Sequence, residues 1–138
     1  MKKKLFIICS KRFYNKIPSI LEELNGKFNI ELPNCYNKPD TEFKIKELGY
    51  EEHVKFKSEM IRHSEKVILG VDAVLVLNFD KDDYKNYIGG ATFLEMYDAF
   101  RLNKIIYMYN DIPEGILKDE IIGFNPLIIN GRLEEIIW

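Results

Sequence analysis

Asp72-Ala73-Val74-Leu75-Val76-Leu77-Asn78 is the clearest strand in the chain. Its interior is apolar without a break and rich in branched side chains. A strand with one face in water alternates between apolar and polar residues. One that does not alternate is buried on both faces, as the central strand of a parallel sheet is. Parallel strands need crossover connections, which are usually helical. If this strand is central, helices should lie on either side of it in the sequence.

They do. Upstream, residues 51–69 read as a helix with Val54, Met60, Ile61 and Val67 as its buried side, ended by Gly70. Downstream, a polar loop over 79–90 ends in Gly89-Gly90, and a helix follows that closes near Asn103-Lys104. Ile105 to Tyr109 is the next strand, Asn110 to Pro113 a turn, and Leu127 to Asn130 a last short strand before a terminal helical turn. Near the N-terminus, residues 4–9 form a short apolar run that reads as another doubly buried strand. Ser10 then opens a helix with Phe13, Ile17, Ile20, Leu21 and Leu24 near one face, stopped by Asn25-Gly26. Phe28 to Leu32 is a weaker strand. Residues 33–50 carry Pro33, Pro39 and Gly49 and read as a long loop with one short helical turn. Such loops in small domains are often functional. Strand and helix alternate through five strands, the signature of a three-layer α/β fold with a mostly parallel sheet and helices on both faces. Ligands of such sheets bind beyond the carboxyl ends of the strands. Those ends carry Ser10-Lys11-Arg12, Asn78 onward, and Asn110-Asp111.

The helix after Gly90 holds one conspicuous group. Glu95 stands in the apolar and aromatic run Asn86-Tyr-Ile-Gly-Gly-Ala-Thr-Phe-Leu-Glu-Met-Tyr-Asp-Ala-Phe100. At about 100° per residue, Phe93, Met96, Tyr97 and Phe100 share one side. Thr92, Glu95, Ala99 and Leu102 share another. A helix this apolar should pack against the sheet and a second body, either a partner subunit or the 33–50 segment. Two readings of Glu95 stand side by side. Thr92-Phe93-Leu94-Glu95 has the spacing of a capping box, in which the glutamate reaches back to the helix start; the helix dipole would add ~0.3–1 kcal/mol. Alternatively, Gly89 and Gly90 admit a ligand close to the backbone, and free first-turn N–H groups hold an anion or hydroxyl. The ionised carboxylate is then a nucleophile, or stabilises positive charge at a sugar's anomeric carbon.

Bulk properties bound the alternatives. The 138 residues suit a single domain spanning 1–138. With 46% apolar residues, 30% charged and a net charge of −2, the chain is neither a disordered segment nor an electrostatic partner for polymeric nucleic acid. The basic start Met1-Lys2-Lys3-Lys4 runs into an apolar stretch too short for a signal peptide, and no run approaches the ~18 apolar residues of a membrane span. A cytoplasmic protein without a membrane partner is the expectation. Cys9 and Cys35 make no metal pattern, and Cys9, ending an apolar strand, reads as a buried small hydrophobe.

Taken together, "GVDAVLVLNFD" over 70–80 and "NYIGGATFLEMYDAFRLNKIIYMYN" over 86–110 resemble the nucleoside 2-deoxyribosyltransferase-like superfamily. This superfamily comprises deoxyribosyltransferases and 2′-deoxynucleoside 5′-monophosphate N-glycosidases. The resemblance covers roughly residues 5–24 and 60–110, and "IICSKRFYNKIPSILEELN" carries its less specific part. It implies a flavodoxin-like sheet of five strands in the order 2-1-3-4-5. It also implies N-glycosidic chemistry on a nucleoside or nucleotide, no metal or organic cofactor, and a homo-oligomer of two or more chains. By position, Glu95 matches the catalytic glutamate, and Gly89, Gly90 and Thr92 match the sugar and phosphate lining. Ser10, Lys11 and Arg12 occupy the loop that grips phosphate in the monophosphate glycosidases; the two cations are otherwise solvated charges beside a helix start. Phe13, Tyr14 or Tyr87 would stack on the base, and Asn78 would line the site.

Three departures qualify the resemblance. The first loop lacks the usual glycine and reads Cys9-Ser10-Lys11. Ile7 stands where the transferases have a tyrosine. The helix before the third strand lacks the aspartate that orients deoxyribose and nucleophile; the region reads Arg62-His63-Ser64-Glu65-Lys66, with Ser64 nearest the expected place. His63 is either an acid–base group, its ordinary pKa being ~6.5, or a solvated side chain. Asp72, starting its strand, is read as structural. Three functions follow as expectations: an enzyme with Glu95, His63 and Ser64 as its catalytic set, a nucleotide-binding module that has lost catalysis, or a partner-binding domain in which Glu95 only caps.

Overall fold

A computed structural model describes residues 2–138. Five strands form one all-parallel sheet: β1 (Lys4–Ile8), β2 (Asn29–Glu31), β3 (Ala73–Val76), β4 (Ile105–Met108) and β5 (Leu127–Ile128), in the order β2-β1-β3-β4-β5. β3 lies at the centre, with Leu5 to Ile8 of β1 paired to Ala73 to Val76 on one side and Ile105 to Met108 of β4 on the other. All four β3 residues are buried. The fold is flavodoxin-like, with three layers.

Alternation along the strands feeds two cores. Leu5, Ile7, Ala73, Leu75 and Tyr107 point to one face, where Phe13 and the helix α1 (Ile17–Leu24) cover them with Ile17, Ile20 and Leu24. Phe6, Ile8, Val74, Val76, Ile106 and Met108 point to the other. There Ile68 of α3 (Tyr50–Leu69), Met96 and Ala99 of α4 (Gly90–Arg101) and Ile121 of α5 (Lys118–Phe124) close over them. Asp72 accepts a hydrogen bond from the Lys4 N–H at 2.8 Å, tying the start of β1 to that of β3. Its role is structural, as the sequence suggests.

Four local features depart from the sequence reading. The helix after Ser10 opens as a 3₁₀ helix over Lys11–Lys16, and the α-helix begins only at Ile17, where Pro18 suits its first turn. The 33–50 segment contains a seven-residue helix, α2 (Thr41–Glu47), which packs on α3. α5 has no counterpart in that reading; its Gly123 and the short apolar run Ile121-Ile122 hide the helical period. On α3, Val54 and Ile61 are exposed, while Ser64 and Ile68 are buried. On the outer side of α4, Phe124 of α5 takes the rings of Phe93, Tyr97 and Phe100 around it at 5.4–6.4 Å. No helix among the described residues is long and apolar enough to cross a membrane.

Candidate active site

A cavity of about 310 Å³ opens at the carboxyl end of β1, between α3 and the start of α4, with residues 33–42 over it. Each wall has a local cause. β1 ends at Ile8, and the chain leaves the sheet through Cys9, Ser10 and Lys11, which form the floor. The Ser10 side chain accepts from the Arg12 N–H at 3.3 Å and starts the 3₁₀ helix, whose Tyr14 turns into the cavity. α3 contributes Phe56, Met60 and Ser64, spaced four apart, with Lys57 beside them. α4 contributes its first turn, Gly90 to Thr92, and then Glu95 and Asp98 one turn further on.

The capping reading of Glu95 is overturned. α4 begins at Gly89 and Gly90, so Thr92 lies inside the helix rather than at its cap, and among the described residues no side chain caps this end. Gly89 has an ordinary extended backbone, and a Cβ on Gly90 would meet nothing within 4 Å, so neither glycine is there for an unusual turn. With no cap, the first-turn N–H groups remain available to a ligand. Glu95 instead crosses the gap to α3, where the Ser64 hydroxyl donates to its Oε2 at 2.8 Å. Ser64 in turn receives a hydrogen bond from Asn34 Nδ2 at 2.7 Å, and Tyr14 donates to the Asn34 carbonyl at 2.9 Å.

The electrostatics follow from this placement. Burial pushes the Glu95 carboxyl up to about 7; the Ser64 hydrogen bond opposes that, Asp98 adds to it, and Lys57 opposes it. Burial and the nearby Glu95 charge push the Cys9 thiol up to about 12, which leaves it an inert buried group rather than a nucleophile. Burial also raises the Tyr14 hydroxyl. Burial raises Asp98 as well, against its hydrogen bond from Arg101. Glu42, on the cavity wall, goes the other way. Burial alone would raise it, but the hydrogen bond with His53 at 2.9 Å and the charge of Lys57 outweigh that and hold it below its ordinary value.

Of the residues singled out in the sequence, the cavity gathers Ser10, Lys11, Tyr14, Ser64, Gly89, Gly90, Thr92 and Glu95. Five lie elsewhere. His63 is exposed on α3, one residue from Ser64 and so about 100° around the helix from it. Arg12 pairs with Asp82 at 2.8 Å. Phe13 is 2% exposed in the core, edge-on to Phe79 at 5.5 Å. Tyr87 sits behind Gly89 with the Lys81 ammonium 4.4 Å over its ring. Asn78 is wholly buried and its amide is occupied by the backbone of Asn110 and Asp111.

Asn34, Glu42, Lys57 and Asp98 escaped the sequence reading. The α3 stripe was open to detection, since a serine sharing a helical face with Phe56 and Met60 is neither a plain core stripe nor a plain solvent stripe. Asn34 and Glu42 left no such trace, because only the folded connection brings them there. Among the described residues no group of three or more His, Cys, Asp or Glu is arranged to hold a metal ion. No family model matches the chain, and no curated protein matches it.

Proposed function

We propose that this protein cleaves or exchanges the N-glycosidic bond of a nucleoside or 2′-deoxynucleoside, or of its 5′-monophosphate, with Glu95 as the nucleophile. The observation that carries the reading is a carboxylate released from capping, held through Oε2 by Ser64 and facing a cavity at the carboxyl end of the sheet. In the first step Oε1 attacks C1′, and the bond from C1′ to the base nitrogen breaks. Its electron pair leaves with the base, which takes up a proton from solvent. Water, or the ring N–H of a second base, then displaces Glu95 from C1′ and returns a proton to solvent, and the carboxylate is restored. Fixing one oxygen through Ser64 leaves the other to approach the anomeric carbon in a defined direction. Tyr14 offers an aromatic face to the base, Asp98 a polar contact for sugar hydroxyls, and Lys11 with the open start of α4 a site for phosphate.

Two wider expectations belong to the same reading. Leu94, Tyr97 and Phe100 stay 43%, 47% and 45% exposed on α4 and supply an apolar face for a homo-oligomer. Two free thiols, Cys9 and Cys35, suit a reducing cytoplasm. A second reading, a nucleotide-binding module without catalysis, is favoured by one feature, the neutral Ser64 where the resembling enzymes carry an aspartate. Chromatography of free base separates the two. Incubation with each common deoxynucleoside and monophosphate should release base with the parent protein and not with Glu95→Gln. Calorimetric binding of a monophosphate with no base release from any of them would establish the binding module instead.

A further inference from the structure

Asn34 comes from the connection after β2, distant in sequence from both Ser64 and Glu95, yet its amide joins the far side of the Ser64 hydroxyl from the carboxylate. The orientation of that amide is settled by a second contact. Nδ2 also approaches the Met60 carbonyl at 3.4 Å, and a carbonyl can only accept, so the NH₂ end must face α3. An NH₂ group can only donate. A serine hydroxyl has one proton, and once its oxygen is accepting from Asn34 that proton must go elsewhere. The Glu95 oxygen at 2.8 Å takes it.

The backbone holds Asn34 in place for this. A turn closes through the Tyr36 N–H to the Pro33 carbonyl at 3.1 Å, and Cys35 within it takes a left-handed conformation at φ 60. That conformation is disfavoured for a non-glycine residue, so the turn around it must hold it there. The Tyr14 hydroxyl, donating to the Asn34 carbonyl at 2.9 Å, anchors the same turn to the cavity floor.

The geometry points to Asn34 as a positioning residue: it fixes the direction of the Ser64 hydroxyl, so that Ser64 donates to Glu95, favours its ionised form and aims it. Asn34 and Ser64 thus supply, by a neutral relay of two groups, an orientation for the nucleophile. This inference rests on the glycosidic reading for its catalytic meaning but not for its test. The other charged or titratable groups on the cavity wall are Asp98 on α4, Lys57 on α3, Glu42 on α2, Cys35 on the connection after β2, and Cys9, Lys11 and Tyr14 on the floor. None of them is altered in the experiment.

The test is a double-mutant cycle read by ¹³C NMR titration of the Glu95 side-chain carboxyl. Asn34→Asp replaces the donor by an acceptor of the same shape, so Ser64 turns its proton away from Glu95. The Glu95 midpoint should rise by about one pH unit or more. In a Ser64→Ala background the same substitution should move it by less than half as much, because only the bare charge remains. Asn34→Ala provides a second, uncharged route. Its smaller rise should likewise vanish when Ser64 is absent. Equal shifts in both backgrounds, or none in either, overturn the relay. If base release is detectable, Asn34→Asp should lower kcat and move its pH profile upward while changing KM little. Failure of every substrate to yield base would sink the glycosidic reading, and the titration would still decide for or against the relay.

Discussion

Two polar groups near the carboxyl end of the same sheet, Asn78 wholly buried and Glu95 half-buried at the cavity wall, are treated in opposite ways. Asn78, just past β3, uses its whole amide. Nδ2 donates to the carbonyls of Asn110 and Asp111, each at 3.0 Å, and Oδ1 accepts from the Asn110 N–H at 2.9 Å. Asn110 returns a hydrogen bond to the Asn78 carbonyl at 3.0 Å. Both N–H donors are taken and the group is sealed from solvent, and the result is a rivet between β3 and β4. Glu95, on α4, has Ser64 on one oxygen and the cavity before it. A buried group whose capacity is filled stabilises; one left partly unfilled costs stability and is kept where it reacts or binds.

That contrast is open to attack, and the largest effect expected is on turnover. Glu95→Gln keeps the shape and the contact with Ser64 but removes the charge, and base release should fall by a factor on the order of 10³. A folded Glu95→Gln protein that turns over at the parent rate would end the assignment of the nucleophile. Asn78→Ala should act on stability instead. It orphans buried backbone groups of Asn110 and Asp111, at a cost of about 2–3 kcal/mol in urea unfolding. Any surviving folded fraction should keep its kcat. Lost turnover with unchanged unfolding would mean that Asn78 and Glu95 are alike after all.

A third prediction concerns pH. The Glu95 carboxyl is raised from 4.5 in the unfolded chain to about 7 in the folded one. The native state therefore holds this proton more tightly, and stability declines as pH rises from about 4.5 to about 7. Above that range the cost is fully present. Glu95→Gln should accordingly be more stable than the parent at pH 8, by on the order of 2 kcal/mol allowing for the open cavity, with the difference shrinking toward zero near pH 4. If base is released, kcat/KM should climb with pH through about 7, as the carboxylate forms in the free protein. The smallest effect belongs to the rim. His53→Ala removes a partner of Glu42 and should cost about 0.5 kcal/mol, with a modest rise in KM if α2 helps close the cavity.

How much of this is legible in the sequence differs between the scaffold and the site. The strands around Ala73 to Val76 and Leu5 to Ile8 show as unbroken apolar runs, and doubly buried strands leave that mark whatever surrounds them. α5 does not show, because seven residues with a glycine among them span too few turns to display a period. Glu95 stands out as a lone carboxylate after two glycines, but its local spacing argues for a cap. The T-x-x-E pattern is a statement about neighbours in sequence, and it lost to Ser64, a neighbour only in space. Arg12 and Tyr87 were plausible by position and went instead to Asp82 and Lys81.

The succession of the five strands, the two-faced burial of β3 and the place of Glu95 in the first turns of a helix were determined by the sequence alone. Each depends on the chain's local period and on which residues shun water. The packing of α3 beside α4, the Asn34–Ser64–Glu95 chain and the raised carboxyl were decided only by the tertiary structure. They depend on distances between segments about 30 residues apart, and on the removal of water from a cavity that no single segment encloses.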